Sequence, residues 1–289
     1  MEDRLKDLDI ERVERVPSSK EFTSYVTVTD ELAYYHAPAD ERALLLACFE
    51  NAQEVVLPDL LDNVAYDIAP KAFDDCYVIT NLQIPNCVNI IGENAFDDCV
   101  NLEYTMSEEG LAYIGNTSNP YLVLVKRFSV EQYENGQIEY IASNITSQYT
   151  KKFTEYHVHA DTKIIYHYAL SGLDDSGVTK IDLPKGLTQI GAGAFAYCTT
   201  LRDITLPEGL LSIGERAFEN CNALPKLTIP KSVTDIDLNS FLGCSWEEIF
   251  YQEFAEMEAA TETEETTEFE EIVDFEESEE FEESVEFEE

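Results

Sequence analysis

The stretch CTTLRDITLPEGLLSIGERAFENC, at residues 198–221, is the clearest copy of a repeat that decides the fold. It ends in the box AFENC, and related boxes occur at 72–76 (AFDDC), 95–99 (AFDDC), 194–198 (AFAYC) and 240–244 (SFLGC). Phe195, Phe218 and Phe241 are 23 residues apart, and Phe73 and Phe96 have the same spacing. A fixed period of this size is typical of a solenoid, in which each coil buries its apolar side against its neighbours.

Each coil is predicted to contain two short extended segments and a tight turn. Between Cys198 and Pro207 the apolar residues end in a two-residue alternation, which is typical of a strand with one face toward the core. After the proline, Ile213 and Gly214 indicate a second short strand and a turn, and the box suits a helical or 3₁₀ turn. We therefore expect an α/β fold leaning to mainly β. The strand before the proline would form one long sheet, with a brief element on the opposite wall.

The repeat divides the chain into three parts. We predict an N-terminal cap segment at 1–39, a solenoid at 40–254 and an acidic low-complexity tail at 255–289. The tail, with phenylalanines six residues apart among glutamates, is expected to be disordered because its charge density opposes a compact state. It could dock into a basic groove, bind divalent cations weakly, or only keep the protein in solution.

The period breaks between about 102 and 163, where we predict one bulky irregular unit built into the solenoid. Two segments of this unit, 119–128 and 138–146, have the composition of paired strands in a hairpin.

Near the start of the chain, Asp40 is a plausible N-cap for a helix through Cys48, in a decayed first unit. A C-terminal cap is expected from the aromatic residues that follow the last box, namely Trp246, Phe250, Tyr251 and Phe254.

The charge excludes several classes of partner. The chain has 59 acidic and 18 basic residues, a formal net charge of −41. We expect no nucleic-acid partner, because phosphate binding needs clusters of Lys and Arg. No stretch approaches the roughly 20 apolar residues of a membrane span. The first residues lack the apolar core of a signal peptide, so we expect a cytoplasmic protein, or a cell-surface protein if the export signal lies outside this sequence.

Five of the seven cysteines are predicted to be packing residues. These five occupy the same position of the repeat, where the side chain points inward, and Cys is among the most buried residue types even when unpaired. We therefore expect a ladder of reduced thiols rather than a disulfide framework. Structural zinc is not expected, because paired CxxC motifs are absent.

Together, the segments LPEGLLSIGERAFENC (206–221) and LTIPKSVTDI (227–236) followed by SFLGC resemble the BspA-like subclass of leucine-rich repeats. The stretch YIGNTSNPYLVLVK at 113–126 resembles a variant coil of the same family. The resemblance covers roughly residues 43–244. It implies a right-handed leucine-rich-repeat solenoid that acts through protein surfaces, and bacterial and protozoan members are mostly regarded as cell-surface adhesion or host-interaction proteins.

Polar residues between the core positions of the strands before each proline are the candidate binding residues. On a solenoid they would line up as one polar face that binds a protein partner, although a merely solvated face has the same composition. These residues are Thr80, Asn81, Gln83, Thr179, Lys180, Asp182, Arg202, Asp203, Thr205, Lys226 and Thr228.

The irregular unit carries the second set of candidates. If they lie on a strand, His157 and His159 would share a face, as in a metal or pH-sensing pair. The favoured alternative is that His159 takes the place of the usual proline and His167 decorates a turn. No nucleophile, phosphate-binding or zinc-hydrolase motif is present, so we expect neither an enzyme nor a cofactor. The sequence thus favours a monomeric, non-enzymatic scaffold for protein binding. The alternatives are a surface adhesin of the same fold and, less favoured, a metal or enzymatic site in the irregular unit.

Overall fold

The structure is a computed structural model of the 289-residue chain. The residues that it describes are 25–49, 52–74, 76–97, 99–141, 150–173, 177–248 and 250–251. The predictions for residues 1–24, for Phe254 and for the acidic tail therefore lie outside the described residues.

The described chain forms short strands joined by turns, as in a solenoid. The strands are β1 (Val26–Val28), β2 (Leu32–Tyr35), β3 (Ala43–Cys48), β4 (Glu54–Val56), β5 (Tyr66–Ile68), β6 (Asn81–Gln83), β7 (Thr105–Met106), β8 (Leu111–Ile114), β9 (Val123–Arg127), β10 (Ser129–Gln132), β11 (Ile138–Ile141), β12 (Glu155–His157), β13 (Ile164–Ile165), β14 (Lys180–Asp182), β15 (Gln189–Ile190), β16 (Ser212–Ile213) and β17 (Asp235–Ile236). The result is a mainly-β solenoid of about seven turns, spaced about 25 residues apart. The mean exceeds the predicted 23 residues because several coils are longer: paired residues are 27 positions apart in β4 and β6 and 25 apart in β13 and β15.

Each coil has two extended walls, and the long sheet lies on the wall that we did not predict. The first wall holds the strands before the proline position, β4, β6, β12 and β14, which form two separate parallel pairs, β4–β6 and β12–β14. The second wall holds the strands after it, which join a seven-stranded sheet in the order β17-β16-β15-β13-β9-β8-β7. The prediction was wrong on this point. A proline lies two residues after β4, β6 and β14 and limits these strands, because it donates no hydrogen bond to the ladder; His159 holds this place after β12.

Small residues allow the second-wall coils to approach closely. Ile165, Ile190, Ile213 and Ile236 are register partners in successive parallel strands, and three of them are fully buried. Gly214 follows this ladder, and a Cβ at this glycine would lie 2.6 Å from the backbone nitrogen of Ala192. The glycine of the repeat is therefore required by contact with the neighbouring coil.

The box of each coil supplies a ring and a thiol to the interior. Phe195 stacks on Phe218 with 5.0 Å between ring centroids, and Phe218 on Phe241 at 5.4 Å. The thiol of Cys221 donates to the carbonyl of Phe195 and that of Cys244 to the carbonyl of Phe218, both over 3.2 Å. All seven cysteines lie within the described residues as thiols, and all but the half-buried Cys87 are buried. The predicted ladder of buried thiols is confirmed.

The box is a series of turns and not the single helical or 3₁₀ turn that the spacing predicts. Two positions of the box recur in the left-handed backbone region, which a right-handed helix does not allow, although the last described box has only one of them, at Gly243. One precedes the Ala-Phe pair, as at Arg216 (φ 54°) and Asn94 (φ 56°); the other precedes the cysteine, as at Asn220 (φ 56°) and Tyr197 (φ 61°). Hydrogen bonds of the i to i−3 type close these turns.

An antiparallel segment begins the described chain. Strands β1, β2 and β3 are antiparallel neighbours, and β3 then pairs in parallel with β5. The helix predicted from Asp40 through Cys48 is wrong, since residues Ala43–Cys48 form β3. The segment ALLLAC has good local helix propensity, but strands on both sides of β3 supply ladder partners, and such tertiary pairing outweighs propensity.

An ion pair stabilises this first part of the solenoid. Arg42 donates two hydrogen bonds to the carboxylate of Asp67, at 2.9 and 2.7 Å, and one to the carbonyl of Cys87. Asp67 is buried and also accepts from the backbone N–H groups of Asn89 and Ile90. One pair of side chains therefore connects three successive coils.

The irregular unit is built differently from the predicted hairpin. Strands β7, β8 and β9 form an antiparallel meander whose last strand, β9, pairs in parallel with β13. Of the predicted strand at 138–146, residues 138–141 form β11, which pairs with β10 rather than with β9, and the rest lies outside the described residues. The reason is that the apolar run at 119–128 is used twice, since Val123 and Leu124 pair with both β8 and β13.

The structure divides into two compact units, Met1–Ser245 and Trp246–Glu289. In the second unit, the backbone N–H of Phe250 donates to the carbonyl of Trp246 over 3.2 Å, as in a helical turn. Trp246 and Phe250 are buried. Their role as a C-terminal cap stays a prediction.

Candidate functional site

The polar face is the exposed side of the first wall, and the predicted binding residues lie on it. All of them are exposed or half-buried. Between them, Leu82, Ile181 and Ile204 are buried, which is the alternation that the sequence predicted. The face has two parts, one on β4–β6 and one on β12–β14. Arg202, Thr205, Lys226 and Thr228 follow in the next two coils, outside the named strands.

The first part of the polar face is uncharged except for one carboxylate. Asn81 and Gln83, on β6, direct their amide nitrogens toward the Oε1 of Glu54 at 3.4 and 3.3 Å. Val56, next to Gln83 in the register, has 60% of its surface exposed. Thr80 lies at the margin and donates to the carbonyl of Gln53.

A shallow groove continues from this part of the face. It has a volume of about 330 Å³ and is lined by Val56, Gln83, Asn86, Cys87 and Asn116, among others. Cys87 is the one cysteine outside the buried ladder, and burial is the main cause that raises the pKa of its thiol. This groove therefore offers amide groups and apolar surface, but no activated nucleophile.

The second part of the polar face carries ion pairs. Lys180 and Asp182 on β14 are 3.0 Å apart (Nζ to Oδ1), and Asp182 also lies 3.4 Å from the Nε2 of His157. The other ring nitrogen of His157, Nδ1, lies 2.9 Å from the Oε1 of Glu109. The hydrogen bond to Glu109 is the main cause that raises the pKa of His157, with partial burial acting in the opposite direction.

The backbone places the next coil beside this ion-pair cluster. Lys180 forms a parallel bridge with Asp203, and the N–H groups of Arg202 and Asp203 both donate to the carbonyl of Thr179. The hydrogen bond to Asp182 is the main cause that raises the pKa of Lys180. Thr179, Lys180, Asp182, Arg202 and Asp203 are thus brought together, whereas Thr80, Asn81 and Gln83 belong to the separate first part.

His157, His159 and His167 have three different surroundings, which favours the interpretation in which His157 and His159 form no metal or pH-sensing pair. The ring of His159 stacks on Tyr121, with 3.7 Å between centroids, while His157 contacts carboxylates. His167 accepts a hydrogen bond from the backbone of Ala192 at its Nδ1, and burial lowers its pKa. Among the described residues, no group of three or more His, Cys, Asp and Glu side chains could hold a metal ion.

Sequence reasoning missed two carboxylates of the polar face. Glu54 could have been found, because its neighbour Val55 aligns with Leu82 once the decayed first coil is included. Glu109 could not, because the aperiodic turn between β7 and β8 brings it to His157. Within the described parts of the chain, no helix has the length and apolar character needed to cross a bilayer.

Comparison with known proteins identifies the family. The sequence matches the model described as BspA type leucine rich repeat region, in six copies, over residues 46–174 and 163–257. No curated protein sequence gives a match.

Several solved structures are similar. A leucine-rich repeat protein of T. pallidum is 20% identical, with 74% of this chain and 81% of that chain covered and a TM-score of 0.33. A leucine-rich repeat protein from Bacteroides capillosus is 26% identical, with 49% of this chain and 86% of that chain covered and a TM-score of 0.27. A leucine-rich cell surface protein from Faecalibacterium prausnitzii is 15% identical, with 76% of this chain and 86% of that chain covered and a TM-score of 0.32. The family model alone spans most of this chain, and the chain belongs to the BspA type leucine-rich repeat family.

Proposed function

We propose that the protein is a non-enzymatic scaffold that binds another protein through the polar face. The fold is one that typically binds proteins, because stacked coils present an extended surface that no single coil could hold. The observation that carries the proposal is the alternation on the first wall. At equivalent positions of neighbouring coils, polar side chains point outward while Leu82, Ile181 and Ile204 are buried.

The second part of the face is the better candidate for the centre of the interface. Its ion pairs, Lys180 with Asp182 and His157 with Glu109, fix the directions of charged groups before a partner arrives. Fixed charges of both signs favour a partner with a complementary pattern and disfavour others. Arg202, exposed beside Asp203 in the next coil, adds a donor of the type that often dominates the energy of protein interfaces.

Site-specific photo-crosslinking in cells that express the full chain tests the proposal. A photoreactive amino acid is introduced at Thr179, Thr205 or Asn81, and separately at Glu208 and Lys231, which are exposed positions outside the polar face. We expect one protein to crosslink from at least two polar-face positions and from neither control. Equal crosslinking from all positions would remove the proposal.

Purified partner then gives an affinity for each variant. The charge reversal Lys180→Glu combined with Arg202→Glu is expected to weaken binding by roughly tenfold or more, as for central interface residues. The matched pair Lys185→Glu and Lys231→Glu makes the same change of charge on exposed residues outside the face. An equal loss in both variants would indicate an effect of total charge and not of the polar face.

A further inference from the structure

The two regular blocks of the solenoid differ in charge. The N-terminal block, residues 25–101, contains 14 acidic and two basic residues. The C-terminal block, residues 164–245, contains nine acidic and six basic residues. Since a charge of one sign attracts partners of the other, a basic partner would be drawn to the N-terminal block.

Exposed apolar side chains are present in the same block, at one edge of its coils. Val100 has 74% of its surface exposed, Tyr77 50% and Val78 41%. Tyr77 and Val100 directly follow the cysteine of a box, Cys76 or Cys99, and Val78 follows Tyr77. In the C-terminal block the corresponding residues are smaller or polar: Thr199, Thr200, Asn222 and Ala223.

These apolar residues are neighbours because their two coils are directly stacked. The backbone N–H of Phe73 donates to the carbonyl of Ala95 over 3.1 Å. Beyond the boxes, the side chain of Asn101 donates to the carbonyl of Tyr77 over 2.6 Å. Tyr77 and Val100 hold the same place in successive coils, and the hydrogen bond from Asn101 brings the residue after Val100 to the backbone of Tyr77. Side chains exposed at the same place of stacked coils are expected to form one patch, and such patches mark interaction sites more often than scattered apolar residues do.

Carboxylates accompany the patch at a fixed position. Asp74 and Asp97 are exposed, and each lies three residues before the first apolar residue of its coil, Tyr77 or Val100. The boxes of both coils read AFDDC, whereas those of the C-terminal block read AFAYC, AFENC and SFLGC. The set Asp74, Tyr77, Val78, Asp97 and Val100 is called the acidic edge below.

We propose that the acidic edge docks a basic segment of a partner protein, in which Lys or Arg alternates with apolar side chains. The apolar residues would be buried against Tyr77 and Val100, and the cations would approach Asp74 and Asp97. An anionic membrane or a nucleic acid would be repelled by the same carboxylates, and the glutamate-rich tail of this chain carries the wrong sign. The acidic edge and the polar face share no residue, so one proposal can fail without the other.

Binding of a defined peptide to the full chain tests this surface. The probe is a fluorescent peptide of alternating lysine and leucine, with a glutamate-and-leucine peptide as its counterpart. We expect the lysine peptide to bind, and the D74N/D97N/V100S variant to weaken its affinity about tenfold, as for the central residues of an interface. Added salt should weaken binding to the wild type more than binding to this variant.

A matched variant separates a local effect from one of total charge. The E208Q/E215Q/L238S variant also removes two exposed carboxylates and one exposed apolar side chain, all in the C-terminal block. We expect its affinity to stay within twofold of the wild type. Equal weakening in both triple variants, or no weakening in the first, overturns the proposal. V100S alone keeps every charge and should still weaken binding; unchanged affinity would remove the apolar part of the site.

Discussion

The C-terminal block stacks coils of one period through backbone hydrogen bonds, whereas on the second wall the N-terminal block meets the rest of the solenoid through side chains. In the C-terminal block the rings of Phe195 and Phe218 are nearly parallel, with an interplanar angle of 18°. At the junction the contacts join residues that are far apart in the sequence. The ring of Phe96 packs on that of Tyr166 at an interplanar angle of 36°, and the backbone N–H of Phe96 donates to the Tyr166 hydroxyl. Coils that keep the 23-residue period are joined by backbone hydrogen bonds. Where the period breaks, particular side chains make hydrogen bonds between the coils of the second wall.

Gln189 is the clearest of these junction residues. Its side chain is buried and accepts from the N–H of Ile91 at 2.8 Å while donating to the carbonyl of Ile91 at 3.0 Å. The amide therefore imitates the two hydrogen bonds of a neighbouring strand. Thr188 adds a hydrogen bond to the carbonyl of Asn89 at 2.8 Å.

The largest expected effect comes from breaking the ring stack of the regular block. Phe218 is fully buried between Phe195 and Phe241. We expect Phe218→Ala to lower the free energy of unfolding by about 3–5 kcal/mol, because the cavity cannot close between two rigid coils. Urea denaturation followed by circular dichroism measures it. Phe128→Ala, at a half-buried ring outside the stack, is the control and should cost much less; an equal cost would contradict the comparison.

The second largest loss of stability is expected from removing the side-chain amide of Gln189 at the junction. We expect Gln189→Ala to lower the free energy of unfolding by about 2–4 kcal/mol, because both backbone groups of Ile91 lose their partner in a buried place. The same denaturation experiment measures it, with Gln132→Ala, on an exposed residue of β10, as control. If Gln189→Ala cost no more than the control, the junction would not depend on this side chain.

How far the sequence predicts this molecule depends on the period. The spacing of Phe195 and Phe218 predicts the coil, the buried thiols and the outward direction of residues such as Lys180, because these are ladder positions. It does not predict which wall forms the long sheet, since both candidate strands have only two or three residues per coil. The segment that forms β3 has the composition of a helix, and the period gives no sign of its pairing because the partner strand β2 lies outside the repeat.

The contacts at the junction and in part of the polar face could not be predicted from the sequence either. Gln189 looks like any polar strand residue, and its partner Ile91 is 98 positions away. Glu109 approaches His157 through a turn that has no period. Contacts between aperiodic segments leave no local signal in a single sequence.

A smaller effect concerns the reactivity of the thiols. Buried thiols react slowly because the thiolate is costly to form, and contact with Cys198 and burial raise the pKa of Cys221. In native protein treated with a thiol reagent, we expect Cys87 to react first and Cys99, Cys198 and Cys221 to react slowly. Peptide mapping assigns the labelled residues. Rapid labelling of Cys221 in folded protein would contradict a closed ladder.

The smallest effect is the pH dependence of the polar face. Because the pKa of His157 is raised by Glu109, the protonated ring favours the folded state. This contribution is complete below the ordinary histidine pKa of about 6.5 and is lost as the pH rises through the raised folded value. NMR titration should give a pKa for His157 above that of a histidine peptide, and Glu109→Gln should lower it. A pKa unchanged by Glu109→Gln would exclude this contact in solution.

Hydrogen–deuterium exchange of the full chain, with and without the partner identified by crosslinking, tests most directly the claim that the first wall is the binding surface. Amides of the first wall, on β12 and β14 and in the coil that carries Arg202 and Thr205, should exchange more slowly in the complex. Those of the second-wall strands β15, β16 and β17 should be unchanged. Slower exchange on the second wall, with the first wall unchanged, would contradict the account.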